Sequence, residues 1–412
     1  MKIALLSYEY PPETGFGGIG TFTWIQARAL VKLGHEVHVL AGSVEPSPLR
    51  IEEHDGVRVH RFHRDGLLMW GARQLSRFGL WWTRNRMENA LSMHSAFKKL
   101  HREHAYEVVG MPECGAEGAL INNFIQATTI VRLHSPARLI MPYYPTTKLD
   151  RALCGRIEQS GLGKATAFCA SSQYVADEAR TALKIRRPIR VLPNGIDLDL
   201  FEATEQIDFR RTYELPEDRP IILFAGRMER RKGIDLCEEI ITTILERHEA
   251  AFVFAGGDPF DFMAQTLQPR LQAKPFKGSF HYLGKLDFTH LHSGLCQSDI
   301  ILIPSLWENC PHICLEAMAA GRAIVCSDQT GFPELIQDGE NGVLARNGDA
   351  ASYAAKLEEL LEDGDRRNRL GAAARKTVEA RYTDTYAAQH SLTFYQECLN
   401  SFSPNTGPGT RH

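Results

Sequence analysis

The chain has 412 residues, a net charge of −3, 43% apolar residues and 24% charged residues. This length points to two domains, and the even charge balance gives no reason to expect nucleic acid as the main partner. Nine cysteines are scattered as singles, without the close pairs of a zinc ribbon or a disulfide framework, which fits a reducing, cytoplasmic compartment.

The N-terminus enters a strand at once. Residues 2–7, KIALLS, form an apolar run of the kind buried in a parallel sheet. No signal peptide is expected ahead of it, and no later apolar run has bilayer length. A loop, YEYPPETGFGGIG, leads to a helix expected from Thr21 to Gly34, and 35–41 reads as the next strand. Further strands are expected at 56–62, 107–112, 128–134, 165–170 and 189–193, with helical segments between most of them. After the polar stretch 202–219 a second set begins, with strands at 221–225, 251–255, 280–283, 300–303, 323–326 and 342–345. This alternation is an α/β pattern of two doubly wound, Rossmann-like domains, 1–200 and 201–383, with a ligand cleft expected between them. From about Ala350 the chain reads as helical. Its last helix, 384–402, is expected to complete the first domain, and 403–412 to be a disordered tail.

Residues 61–104 mix Arg61, Arg64, Arg73, Arg77, Arg84 and Arg86 with Trp70, Trp81 and Trp82. Two readings stand open for them. One is contact with a membrane surface or an anionic acceptor. The other is a helical hairpin whose arginines snorkel to water.

Gly15, Gly17 and Gly20 satisfy G-x-G-x-x-G, and Glu45 lies where a ribose-binding acid would. A dinucleotide site is nevertheless not expected, because that fingerprint starts directly at the strand end, whereas here a longer loop with two prolines intervenes. The glycines still allow backbone amides to approach a phosphate or sugar. His134 ends a strand and could bond a sugar hydroxyl or assist proton transfer. Asp197 and Asp199 form a D-x-D pair at a turn, with no third ligand in view, so no metal is expected. In GRMERRKG, Arg227 and Lys232 sit on a loop bracketed by glycines at a strand end, suited to a departing diphosphate; Arg230 and Arg231 could share that role but are expected to face water. Charge-assisted hydrogen bonds of that kind contribute roughly 1.5–3 kcal/mol each.

The stretch from Asp299 to Glu316 joins a buried strand to two carboxylates, Glu308 and Glu316. On one continuous helix they would lie about 80° from eclipsed. With Glu308 on a loop and Glu316 inside a helix opened by Pro311, both can point into one crevice at the strand's carboxyl end.

Together these segments resemble the retaining glycosyltransferases of GT-B fold that carry the E-x7-E motif, the family 4 or group 1 type. The resemblance runs through Gly17-Gly18, the HSP segment at His134, PNGID at 193–197, GRxxxxKG at 226–233, SDIILIPS at 298–305, the Glu308/Glu316 pair and TGFPELI at 330–336. It implies an enzyme that moves a hexose from a UDP- or GDP-sugar to a hydroxyl acceptor such as a glycan, a glycolipid or a small molecule. No metal or other cofactor takes part, and the nucleotide sugar is a co-substrate. Under it, Arg227 and Lys232 match the diphosphate clamp, Glu316 the carboxylate on the donor ribose, and Glu308 the one beside the donor sugar. His134 matches a residue near the sugar's C6 hydroxyl, Gly17 and Gly18 the loop near the diphosphate and acceptor, and Leu286 a backbone contact to the base. Asn309, Cys310, Pro311, His312 and Ile313 match donor contacts, although Asn309-Cys310-Pro311 replaces the Gly-Phe-Gly of many members. A UDP-sugar 2-epimerase and a silent sugar-nucleotide-binding subunit are the rival readings. The carboxylate pair argues against the first, and the intact Arg227, Lys232, Glu308 and Glu316 against the second.

Overall fold

The computed structural model describes residues 1–15, 17–46, 49–64, 74–124, 127–276 and 278–402. Trp70, Arg73 and the tail from Ser403 lie outside the described residues. The chain divides into two compact units, 1–171 with 175–192 and 385 onward, and 172–174 with 193–384. The last helix, Asp384–Phe402, thus falls almost wholly in the first unit, where Ala388, Tyr395 and Cys398 join the core around Ile3, Leu5 and Val108.

The first unit holds eight strands: β1 Lys2–Leu6, β2 Glu36–Gly42, β3 Arg50–His54, β4 Val57–Phe62, β5 Val108–Pro112, β6 Thr128–Leu133, β7 Ala167–Ala170 and β8 Ile189–Val191. Their order is β3-β4-β2-β1-β5-β6-β7-β8. All pairings are parallel except β3 with β4. β3, RIEEH, was not expected. It is an antiparallel edge strand with three of its five residues exposed, so it carries no apolar run. The helix after β1 starts at Gly18 rather than Thr21, with Gly17 as its N-cap.

The second unit holds β9 Ile221–Ala225, β10 Ala251–Ala255, β11 Phe280–Tyr282, β12 Ile300–Ile303, β13 Ala323–Ser327 and β14 Val343–Ala345, in the order β11-β10-β9-β12-β13-β14. Every residue of β9, β10, β12 and β13 is buried. Helices on both faces require this, and burying each large aliphatic side chain contributes about 1.5–3 kcal/mol.

Both sheets reverse their strand order at one place, between β1 and β5 in the first unit and between β9 and β12 in the second. The loops leaving the carboxyl ends of such strands frame a ligand crevice in each α/β layer. Each unit by itself is a doubly wound, Rossmann-like α/β domain. Among the described residues no helix is long and apolar enough to cross a membrane.

The basic residues of 61–104 do not form a snorkelling hairpin among the described residues. A short 3-10 turn, Gln74–Phe78, precedes one long helix, Trp81–His104. Arg61 is fully buried, donating to Glu52 at 2.8 Å and to the Pro11 carbonyl at 2.8 Å. Arg84 pairs with Glu88 at 2.8 Å, and Arg86 with the buried Glu158 at 3.1 Å. Arg77, Phe78 and Trp81 remain exposed.

Candidate active site

In the second unit the site is assembled from the carboxyl ends of β9 and β12. After β9 the chain passes Gly226 and makes a 3-10 turn over Arg230–Lys232. Gly233 closes the turn at φ +77°, and a Cβ there would overlap the Pro304 carbonyl oxygen, so this step requires glycine. The turn carries Lys232 inward, where its Nζ lies 2.5 Å from Glu308 Oε1.

Arg231 departs from expectation. It is buried instead of facing water. It donates to the Trp307 carbonyl at 3.0 Å and to Glu229 at 2.9 Å, and lies 3.3 Å from Glu308. A 3-10 turn points consecutive side chains about 120° apart; Arg230 therefore faces water while its neighbour faces the protein. Arg227 projects outward with 55% of its side chain exposed, steered by Glu229 at 3.2 Å. The turn thus sets three basic side chains, Arg227, Arg231 and Lys232, against two carboxylates, Glu229 and Glu308. Of the three, Arg227 alone is exposed, while Arg231 and Lys232 are held inside against Glu308.

Burial alone would raise the Glu308 carboxyl. Lys232 and Arg231, with hydrogen bonds from Lys232 and Ser305, outweigh burial and keep it below the usual carboxylate range. Burial, reinforced by the neighbouring arginines, pulls Lys232 below the usual lysine value despite Glu308. Glu316 behaves oppositely. It lies within the helix His312–Ala319, and burial pushes it up to about 7, opposed only by Lys232. The pair therefore has divided roles. Glu308 is a fixed anion, whereas Glu316 can both donate and accept a hydrogen bond near neutrality.

The loop between them is tightly held. Ser172 Oγ donates to Asn309 Oδ1 at 2.7 Å, and Asn194 Nδ2 to the Cys310 carbonyl at 2.9 Å. The Gly331 amide donates to the Glu308 carbonyl at 3.1 Å, and a Cβ on Gly331 would overlap the Asn309 carbonyl oxygen. The TGFPELI segment is thus the brace of this loop, with Phe332 buried beneath it. Pro311 occupies the N-cap position of the following helix without a side-chain capping bond, and His312 and Ile313 begin its first turn, whose amides point along the axis. Leu286 follows β11 and packs its side chain on the core, leaving the loop ahead of the Asp287-capped helix for backbone contact. Asp197 caps another helix, accepting from the Leu200 amide at 3.1 Å, which accounts for one member of the D-x-D pair.

In the first unit, the β1 loop carries Gly17 and Gly18. Gly15, Gly17 and Gly20 wrap around Glu9, where a Cβ on any of the three would crowd it, whereas a Cβ on Gly18 would meet nothing within 4 Å. The open position is therefore Gly18. His134 is buried at the end of β6, its ring 5.2 Å from that of Phe22 in an edge contact. The sequence reading missed what holds it. Glu113, at the end of β5, accepts from the His134 and Ser135 amides, both at 2.7 Å. Burial and the nearby Glu158 push Glu113 up to about 8, against those two donors. Glu117 likewise accepts from the Tyr8 amide at 2.9 Å, and burial pushes it up to about 8. Both lie just past a switch-point strand, a signal available only once the strand order is known.

Residues 16–200 match the family described as Glycosyltransferase Family 4, and residues 205–377 match Glycosyl transferases group 1. An uncharacterized glycosyltransferase of Methanocaldococcus jannaschii is 26% identical, covering 96% of this chain and 98% of its own. Sucrose-phosphate synthase from Thermosynechococcus elongatus superposes with a TM-score of 0.79 at 20% identity, covering 97% and 99% of the two chains. An Anabaena protein in complex with UDP-glucose gives a TM-score of 0.71 at 16% identity, covering 98% and 100%. Taken with the two switch-point crevices, these matches show that the chain belongs to the family 4-type, GT-B glycosyltransferases.

Proposed function

We propose that this glycosyltransferase moves a hexose from a nucleoside-diphosphate sugar, UDP- or GDP-linked, to a hydroxyl acceptor, with retention at the anomeric carbon and without a catalytic metal. The observation that carries the reading is the surplus-positive turn Arg227–Lys232 set against Glu308. As the anomeric bond breaks, negative charge builds on the departing diphosphate. Arg227, Lys232 and the amides at the start of the helix His312–Ala319 are placed to offset it. Glu308, fixed as an anion, suits the sugar hydroxyls and the positive charge of an oxocarbenium-like centre. Glu316 suits the paired ribose hydroxyls, which both donate and accept. Retention would follow from acceptor attack on the face the phosphate leaves, with a phosphate oxygen taking the acceptor proton. The Anabaena neighbour with UDP-glucose lends support to a uridine donor. In the first unit, Gly18 and His134 are assigned to the sugar and acceptor side. Any peripheral contact with an anionic lipid surface would rest on Arg77, Phe78 and Trp81, since Arg61, Arg84 and Arg86 are taken up internally.

The test is Lys232→Ala, assayed across a panel of nucleotide sugars by release of nucleoside diphosphate. Losing a preorganised donor to the leaving group should lower turnover by about 10²–10³. Wild-type turnover in a folded variant would remove the clamp assignment. Product anomeric configuration by NMR and turnover in excess chelator test the remaining two claims.

A further inference from the structure

Among the described residues, one group of potential metal-ligating side chains converges, and it lies away from the crevice of the first unit. His38 stands near the start of β2, His60 on β4, and His104 ends the helix Trp81–His104. Leu40 registers with His60, so His38 and His60 share one face of the sheet two residues apart in register. Ala105, left-handed at φ 50°, turns the chain after His104 and brings Tyr106 beneath the cluster. The candidate ligand atoms of the three histidines all lie within 4.8 Å of one another.

The hydrogen-bond pattern is over-subscribed. His38 Nε2 lies 3.1 Å from Glu36 Oε1, which fixes the proton on that nitrogen and leaves one lone pair on Nδ1. Toward that single lone pair come the Tyr106 hydroxyl at 2.7 Å and His60 Nε2 at 3.0 Å. The His104 ring adds a third contact, 4.5 Å from the His38 ring between centroids. One acceptor cannot serve these groups by hydrogen bonding alone. A cation can, because it takes a lone pair from each imidazole. Nitrogens about 2.0–2.1 Å from a tetrahedral zinc lie roughly 3.3 Å apart, close to the His38–His60 separation. The carboxylate behind His38 is the partner that metal-bound imidazoles ordinarily have.

We propose that His38, His60 and His104 form a three-imidazole site for a borderline divalent cation, Zn²⁺ in the first place, which ties β2, β4 and the end of the helix Trp81–His104 together. Imidazole ligands select this class of ion over Mg²⁺ or Ca²⁺. His38 and His60 are each 1% exposed, while His104 is half-buried, so the ion would enter past His104. The fourth position falls to water or the Tyr106 hydroxyl.

The full chain, stripped with chelator and dialysed, is titrated with Co²⁺ as the spectroscopic probe. One equivalent per chain should give visible d–d bands of tetrahedral intensity, abolished by one equivalent of Zn²⁺, and Zn²⁺ should raise the thermal midpoint. His60→Gln and His104→Gln should lose the bands, and Glu36→Gln should weaken binding by about 10–100-fold. His104 is only half-buried, so its variant keeps the test valid if His60→Gln fails to fold. No stoichiometric Co²⁺ binding by the wild-type chain, or equal binding by His104→Gln, would overturn the site.

Discussion

Glu308 is one carboxylate shared by two buried cations, at 2.5 Å from Lys232 and 3.3 Å from Arg231. Glu308→Gln keeps its shape and removes its charge. Arg231 retains Glu229 at 2.9 Å and the Trp307 carbonyl, so the uncompensated charge falls on Lys232, whose side chain is 15% exposed. Removing one partner of a buried pair costs about 3–5 kcal/mol. The nearby Glu316 offsets part of this, so the lower end, about 3 kcal/mol, is expected. At about 2–4 °C per kcal/mol for a unit of this size, the second unit should melt about 6–12 °C earlier. Lys232→Met should cost less, because Glu308 keeps Arg231. The deficit also has a signed pH dependence. A buried lysine without its partner has a folded pKa below its unfolded value near 10.4, so folding releases a proton. Stability of the variant therefore rises relative to wild type between neutral pH and about pH 10. Calorimetry of both variants at several pH values reads all three quantities. Equal stability of Glu308→Gln and wild type, or a deficit that grows with pH, would refute the ion-pair network as described.

Two further expectations concern the same loop and helix. Burial raises Glu316 to about 7, so its contribution to stability is full below the unfolded value near 4.3 and is lost as pH rises toward and through 7. Glu316→Gln should erase that slope, and the difference between wild-type and variant urea midpoints should fall across this window; a flat difference would contradict the raised carboxyl. Gly331→Ala places a Cβ against the Asn309 carbonyl and should cost about 1–3 kcal/mol by overpacking while raising the KM for donor. Wild-type melting and kinetics in that variant would show that the brace is not tight.

The sheets were legible because their strands are uninterrupted aliphatic runs, as in IILFA and IILI. β3 was not, because an edge strand exposed to water shows no such run. The spacing of Glu308 and Glu316 located the crevice, yet three consecutive basic residues gave no sign that Arg231 turns inward. That depends on the phase of a 3-10 turn and on the carbonyl of Trp307, a distant residue in sequence. Glu113 was illegible for a similar reason, since its partners, the His134 and Ser135 amides, arrive from the neighbouring strand. The three histidines were missed because they come from two strands and a helix end, and metal-ligand spacing is recognisable only when ligands are local.

The Lys232–Glu308 contact joins residues 76 positions apart. β10, β11 and the helix Phe288–Gln297 all lie within that span. During synthesis the cationic turn leaves the ribosome well before its carboxylate exists. Until β12 docks beside β9, Arg231 and Lys232 have no reason to leave water, and the turn stays on the outside of a half-built sheet. Formation of this ion-pair network is therefore a late event, tied to the arrival of a single strand. A fragment ending before Ile300 would carry the cations without the carboxylate that draws them inside, and the network is present whole or not at all.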